Sequence, residues 1–164
     1  MTRLTHIVAT LLVLALCITA CNNDTCYDNG SSLPLATFHV GASQQSIAGL
    51  SIMGIGVPGD SLIIDSISVN EVLLPLRASV PQTSFALWRW VGVGDERHLV
   101  TDTLTFEYQA VPYFHSIECG TMYNFDIHDV THTCHGIDSV VMITPLVTNS
   151  RTPALRIHFT DFTQ

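Results

Sequence analysis

The eight residues Thr103 to Ala110, TLTFEYQA, decide how this chain is read. Leu104, Phe106, Tyr108 and Ala110 fall on one side of an extended backbone, and Thr103, Thr105, Glu107 and Gln109 on the other, because successive side chains of a strand point to opposite faces. A strand with one apolar face has to bury it, so the segment predicts a half-buried sheet. The same period recurs where Thr121, Tyr123, Phe125 and Ile127 alternate with Met122, Asn124, Asp126 and His128. It appears again where Leu155, Ile157 and Phe159 alternate with Arg156, His158 and Thr160. Shorter runs predict strands at 35–40, 47–53, 72–77, 84–91, 113–118 and 137–144. No window of 12 residues carries the i, i+3, i+4, i+7 stripe of an amphipathic helix.

Turn-forming stretches separate these runs: VPGD at 57–60, VPQT at 80–83, GVGDE at 92–96, VP at 111–112, CHG at 134–136 and TNSRTP at 148–153. About nine short strands without a crossover helix predict an all-β fold, an antiparallel β-sandwich. Cys26, Trp88 and Cys119 follow the order of the immunoglobulin pattern, but their spacing is too long for that fold.

Ahead of the strands, Ile7 to Ala20 form an apolar run, IVATLLVLALCITA, behind Arg3. It is shorter than the about 20 residues a membrane span needs and has the form of a signal-peptide core. Ile18-Thr19-Ala20-Cys21 matches a bacterial lipobox, which makes Cys21 the lipidated N-terminus after cleavage. Acyl chains contribute roughly 0.8 kcal/mol per buried CH₂, so a multiply acylated cysteine is a lasting anchor. The expected organisation is a cleaved lipoprotein signal peptide at 1–20, a lipidated tether at 21–33 and one sandwich domain at 34–164. Asn22 after the cysteine favours delivery to the outer membrane, on its periplasmic face or at the cell surface.

Charge narrows the partners. Removing residues 1–20 takes away one of the 6 basic residues and none of the 14 acidic ones, leaving a net charge of −9. Such a surface is repelled by phosphate backbones, so nucleic acid is not an expected partner. There is no lysine, which excludes Schiff-base chemistry.

Eight histidines, four of them between His115 and His135, raise the question of a metal. His128, His132, Cys134 and His135 are the candidate ligands, since imidazole and thiolate suit zinc or copper. On a strand His128 and His132 stand roughly 13 Å apart, too far to share one ion unless the chain turns between them. A polar hairpin tip is therefore the favoured reading, with a periplasmic metal-binding or hydrolytic protein as the alternative. Trp88 and Trp90 share one face of a strand and Phe85, Leu87 and Val91 the other. Exposed, the two tryptophans could stack on a glycan; burial in the core is favoured, because large aromatics dominate interiors. No nucleophile elbow, zinc-binding helix or phosphate-binding glycine loop is present, so a non-enzymatic binding or structural module without cofactor is expected. Its ligand is either protein or glycan.

The order Cys21, Asp24-Thr25-Cys26, Leu74-Pro75-Leu76, Asp102 to Tyr108, Cys119-Gly120 and Arg156 to Phe159 resembles a family of small lipoproteins of unknown function from Bacteroidetes-type bacteria. In an oxidising envelope Cys26, Cys119 and Cys134 allow three single disulfides. Chain entropy separates the short and long loops only slightly, at roughly 3 against 4.7 kcal/mol. Cys26 lies in a polar tether, where an unpaired thiol would be open to oxidation. The resemblance, with D-x-C early and CG late, implies the same pair, Cys26 with Cys119, leaving Cys134 free and buried.

Overall fold

The computed structural model describes residues 32–57 and 61–162. The segment 1–20 expected to be a signal peptide, Cys21 and Cys26 lie outside the described residues. Eleven strands are found there, and no α-helix: β1 (Leu35–Val40), β2 (Ser43–Gln44), β3 (Ile47–Ile55), β4 (Leu62–Val69), β5 (Glu71–Leu73), β6 (Gln82–Val91), β7 (His98–Ser116), β8 (Gly120–His132), β9 (Ile137–Met142), β10 (Leu146–Val147) and β11 (Pro153–Phe159). One sheet runs β2-β1-β11-β9, with β5 also paired to β1; the other runs β10-β8-β7-β6-β3-β4.

The alternation read from the sequence is the alternation that builds the core. Leu104, Phe106 and Tyr108 of β7, Phe125 and Ile127 of β8, and Leu155, Ile157 and Phe159 of β11 are all buried. They meet Ala36 and Phe38 of β1 and Phe85 and Leu87 of β6 in one cluster between the sheets. Rings interlock edge to face, Phe85 on Phe106, Tyr108 on Phe125 and Phe38 on Phe159, the arrangement that aromatic quadrupoles favour. The chain is an all-β sandwich.

Three details differ from the expected layout. First, the sandwich is not wholly antiparallel, because β1 and β11 lie side by side in parallel. A parallel pair needs a long crossover, usually a helix; here the rest of the domain serves as that connection.

Second, the two runs expected at 103–110 and 113–118 are one 19-residue strand. Val111-Pro112 does not turn, and Pro112 pairs with Tyr123 of β8. β6 accompanies β7 only as far as Glu107, so beyond that point β7 is an edge, where a residue without an N–H is tolerated.

Third, the run expected at 72–77 pairs only over Glu71–Leu73. After Leu74 donates to Pro34 O, Pro75 ends the ladder. Arg77 is then held by the Tyr108 hydroxyl, which accepts from its amide at 3.0 Å and donates to its carbonyl at 2.9 Å.

Candidate functional site

The histidine-rich connection between β8 and β9 turns around one carboxylate. Asp102, on β7, is 3 % exposed. Its Oδ1 accepts from the Thr133 hydroxyl at 2.7 Å and the His135 amide at 2.8 Å. Its Oδ2 accepts from the amides of Gly136 at 2.7 Å and Ile137 at 3.0 Å. Burial pushes the carboxyl pKa up, but the bonds from His135, Thr133, Gly136 and Ile137 outweigh it and hold the group below its usual value. Thr133 also ties the turn to β7, accepting from the Thr103 amide at 2.9 Å through its hydroxyl. Gly136 fits because it has no side chain: a Cβ there would lie 2.7 Å from Val100 Cγ1 and 3.3 Å from Asp102 Oδ2.

The candidate ligands are distributed along this turn. His128 is exposed on β8. Cys134 Sγ lies 3.7 Å from His132 Nδ1, which is also 2.9 Å from Thr133 O. His135 Nδ1 stands 3.4 Å from Asp102 Oδ1, its side chain mostly in solvent. Among the described residues no three His, Cys, Asp or Glu side chains group in a way that could hold a metal ion. The turn brings His132 to Cys134 and His135 to Asp102 and leaves His128 apart.

Cys134 is free, as expected, but exposed rather than buried. It sits at the tip of the turn, where only the following Gly136 and Ile137 go inward.

The tryptophans also face the other way from the favoured reading. Phe85, Leu87 and Val91 are buried, which sends Trp88 and Trp90 to the outer face of β6. Trp88 is half-buried, whereas Trp90 is 56 % exposed, with the Arg97 guanidinium 5.6 Å from its ring centre.

Arg89, which the sequence places on the face opposite the tryptophans but which suggested no role there, lies in phase with the core. It closes the end of the sandwich between Phe159 and Phe162, its guanidinium carbon 5.6 and 5.1 Å from the two ring centres. Its Nη2 donates to Thr160 O at 3.1 Å, and its Nε is buried without a hydrogen-bond partner. Burial lowers the Arg89 pKa, and the nearby Asp161 carboxylate partly restores it; an arginine stays cationic under either influence.

Arg89 and Trp90 line a groove of about 720 Å³ at this end of the molecule, together with Gln45, Glu96, Asp161 and Phe162. The groove has carboxylates of Glu96 and Asp161 in its lining, and Trp90 borders it from the outer face of β6, where its exposed ring lies against the Arg97 guanidinium. Such a mixed concavity is the usual form of a small-ligand site.

The described molecule is therefore an all-β sandwich with a groove at one end and a carboxylate-organised turn near it. The chain belongs to a family of unknown function, DUF6452, whose model matches residues 49–159. That span runs from within β3 to the end of β11, and so contains Asp102, Arg89 and Trp90. No curated protein and no solved structure matches the chain.

Proposed function

We propose that this chain is a lipid-anchored, non-enzymatic binding module of the bacterial cell envelope, tethered through Cys21 to the outer membrane and taking its ligand into the groove at Trp90. The lipoprotein reading, which would extend to the Bacteroidetes-type family it resembles, rests on the apolar run Ile7 to Ala20 and the lipobox Ile18-Thr19-Ala20-Cys21. The observation that carries the binding reading is the groove, where Trp90 stands 56 % exposed with the Arg97 guanidinium 5.6 Å from its ring centre.

An indole face stacks on the C–H face of a pyranose, while carboxylate and guanidinium groups satisfy its hydroxyls. A glycan is the ligand class that uses both. The test is a titration of the purified protein with envelope oligosaccharides, followed by tryptophan fluorescence. The signal is expected to saturate and to vanish in Trp90→Ala; a panel that leaves the emission unchanged would refute glycan binding in the groove.

The pairing of Cys26 with Cys119 belongs to the same reading. It is supported by Cys119 being disulfide-bonded and Cys134 a free thiol. Anchoring and pairing have separate tests. Cys21→Ser should stop uptake of labelled fatty acid, and non-reducing peptide mapping should recover Cys26 joined to Cys119.

A further inference from the structure

At the end of the sandwich away from the groove, the β7–β8 hairpin runs on past its neighbours. Among the described residues no strand accompanies β7 on its outer side beyond Glu107, while β8 stays paired with it as far as the turn that joins Ser116 to Gly120. This projecting arm is apolar where a solvated hairpin would be charged. Ile117 is 89 % exposed and Phe114 69 %, with Val111 and Tyr123 behind them at 40 % and 41 %. The chain carries 14 acidic residues, yet between Tyr108 and Phe125 it places only Glu118, and no arginine. Exposed aliphatic and aromatic groups on an arm with a single acidic residue, in an otherwise strongly acidic protein, mark an interaction surface rather than ordinary scatter.

The position of the chain ahead of β1 identifies what the arm meets. Ser32, the first described residue, donates from its hydroxyl to Asn124 Oδ1 at 2.9 Å, and Asn124 pairs with Val111 at the base of the arm. Eleven residue steps separate Ser32 from Cys21, a reach of at most about 40 Å, whereas the tip lies about 20 Å beyond Asn124 at strand rise. A lipid on Cys21 therefore holds the bilayer within range of the tip. It does so on the side where repulsion between the acidic surface and lipid headgroups is weakest.

We infer that the Phe114–Ile117 tip of the β7–β8 hairpin inserts its apolar side chains into the interfacial layer of the anchoring membrane, as a second contact beside the lipid. The inference rests on the lipid-anchored reading. Tyr123 is of the residue type that settles at the boundary between headgroups and acyl chains, and Phe114 supplies an apolar side chain of the kind that interfacial segments bury there. Insertion would set β7 upright, with the Trp90 groove about 55 Å of strand away from the bilayer.

The test uses the full processed chain in phosphatidylcholine vesicles, some containing lipid brominated on the acyl chain. Both native tryptophans are replaced by phenylalanine, and one tryptophan is introduced as Ile117→Trp or, for the opposite end, Val93→Trp. Both sites are 89 % exposed, so neither substitution disturbs the core. The Ile117→Trp emission is expected to shift to the blue and lose roughly half or more of its intensity to brominated lipid, as for a side chain about 5–10 Å into the boundary. The Val93→Trp emission should stay unquenched. Vesicle-bound protein with Ile117→Trp unquenched would overturn the inference and leave the lipid anchor standing. A blue shift without bromine quenching would overturn it in favour of a protein partner or second copy at the tip, and equal quenching at both positions would overturn it as well. Protein that fails to float with the vesicles would overturn the tip and the anchor together.

Discussion

Replacing Asp102 with alanine removes the acceptor that holds the β8–β9 turn. Two of its four donors, the amides of Gly136 and Ile137, are buried, and each buried donor left without a partner costs about 1–3 kcal/mol. The Thr133 hydroxyl and the His135 amide are only partly buried, so water can replace the carboxylate there and they add little. Alanine is spared the desolvation of a charge, which offsets part of the loss, and a net destabilisation of about 3 kcal/mol is expected. That is a large share of the roughly 5–15 kcal/mol typical of a domain.

Urea denaturation reads it as a lower midpoint with an unchanged slope. Asp102→Asn is expected to do nearly as much damage, since one end of an amide presents N–H groups to donors. Acid supplies a second signature. The folded carboxyl titrates below its usual 3.8, so its contribution is complete above that pH and is lost as the pH falls through the folded value. The alanine variant should lack this part of the acid dependence. A midpoint within about 0.5 kcal/mol of the parent protein would refute the clamp.

Tyr108→Phe should cost about 1–3 kcal/mol by the same denaturation assay, because the hydroxyl is the partner of both Arg77 backbone groups and of Thr83 Oγ1 at 2.6 Å. Gly136→Ala should destabilise by about 1–3 kcal/mol through overpacking against Val100 Cγ1; a neutral effect would mean the turn has room to move. His39 is buried on β1, and burial, then Arg156 and His158, lower its pKa below 6.5. The unfolded chain therefore binds a proton that the native one refuses, and stability should fall as the pH drops below 6.5, a slope that His39→Gln should flatten. Cys134 should react with a maleimide in the native protein at the rate of an open thiol, since it is exposed.

The fold was legible wherever one face of a strand is buried and the other wet, as in β7, β8 and β11. It was illegible where that contrast fails. β4 was missed because it is an edge strand with its period broken. Ser66 takes a positive φ of 49° and the register to β3 shifts repeatedly along its length, so Ile63 and Ile64 are half-buried side by side. The VP at 111–112 was misread as a turn because a proline on an unaccompanied edge leaves the same local signature as a proline in a loop. Which strands are edges follows from sheet order, a long-range property that no single segment carries.

The site residues divide along a related line. Composition drew attention to the histidines, and four of the eight do lie between His115 and His135, but an exposed turn accumulates polar residues whether or not they act. A better signal was phase. Counting by twos back from Tyr108 through Phe106 and Leu104 reaches Asp102 and Val100, and counting on from Phe85 and Leu87 reaches Arg89 and Val91. In each strand the charge sits on the core face among residues that are buried. A charge in that position is expensive unless it is paired or opens to solvent at an end. Asp102 takes the first course, with four hydrogen-bond donors. Arg89 takes the second, at the mouth of the groove beside Asp161. Both positions were visible in DTLTFEYQA, Asp102 to Ala110, and its neighbour strand once inward phase, rather than residue type, was the criterion. Trp90 went the other way by the same rule, since Phe85 and Leu87 filled the inner face of β6 and left the indole outside.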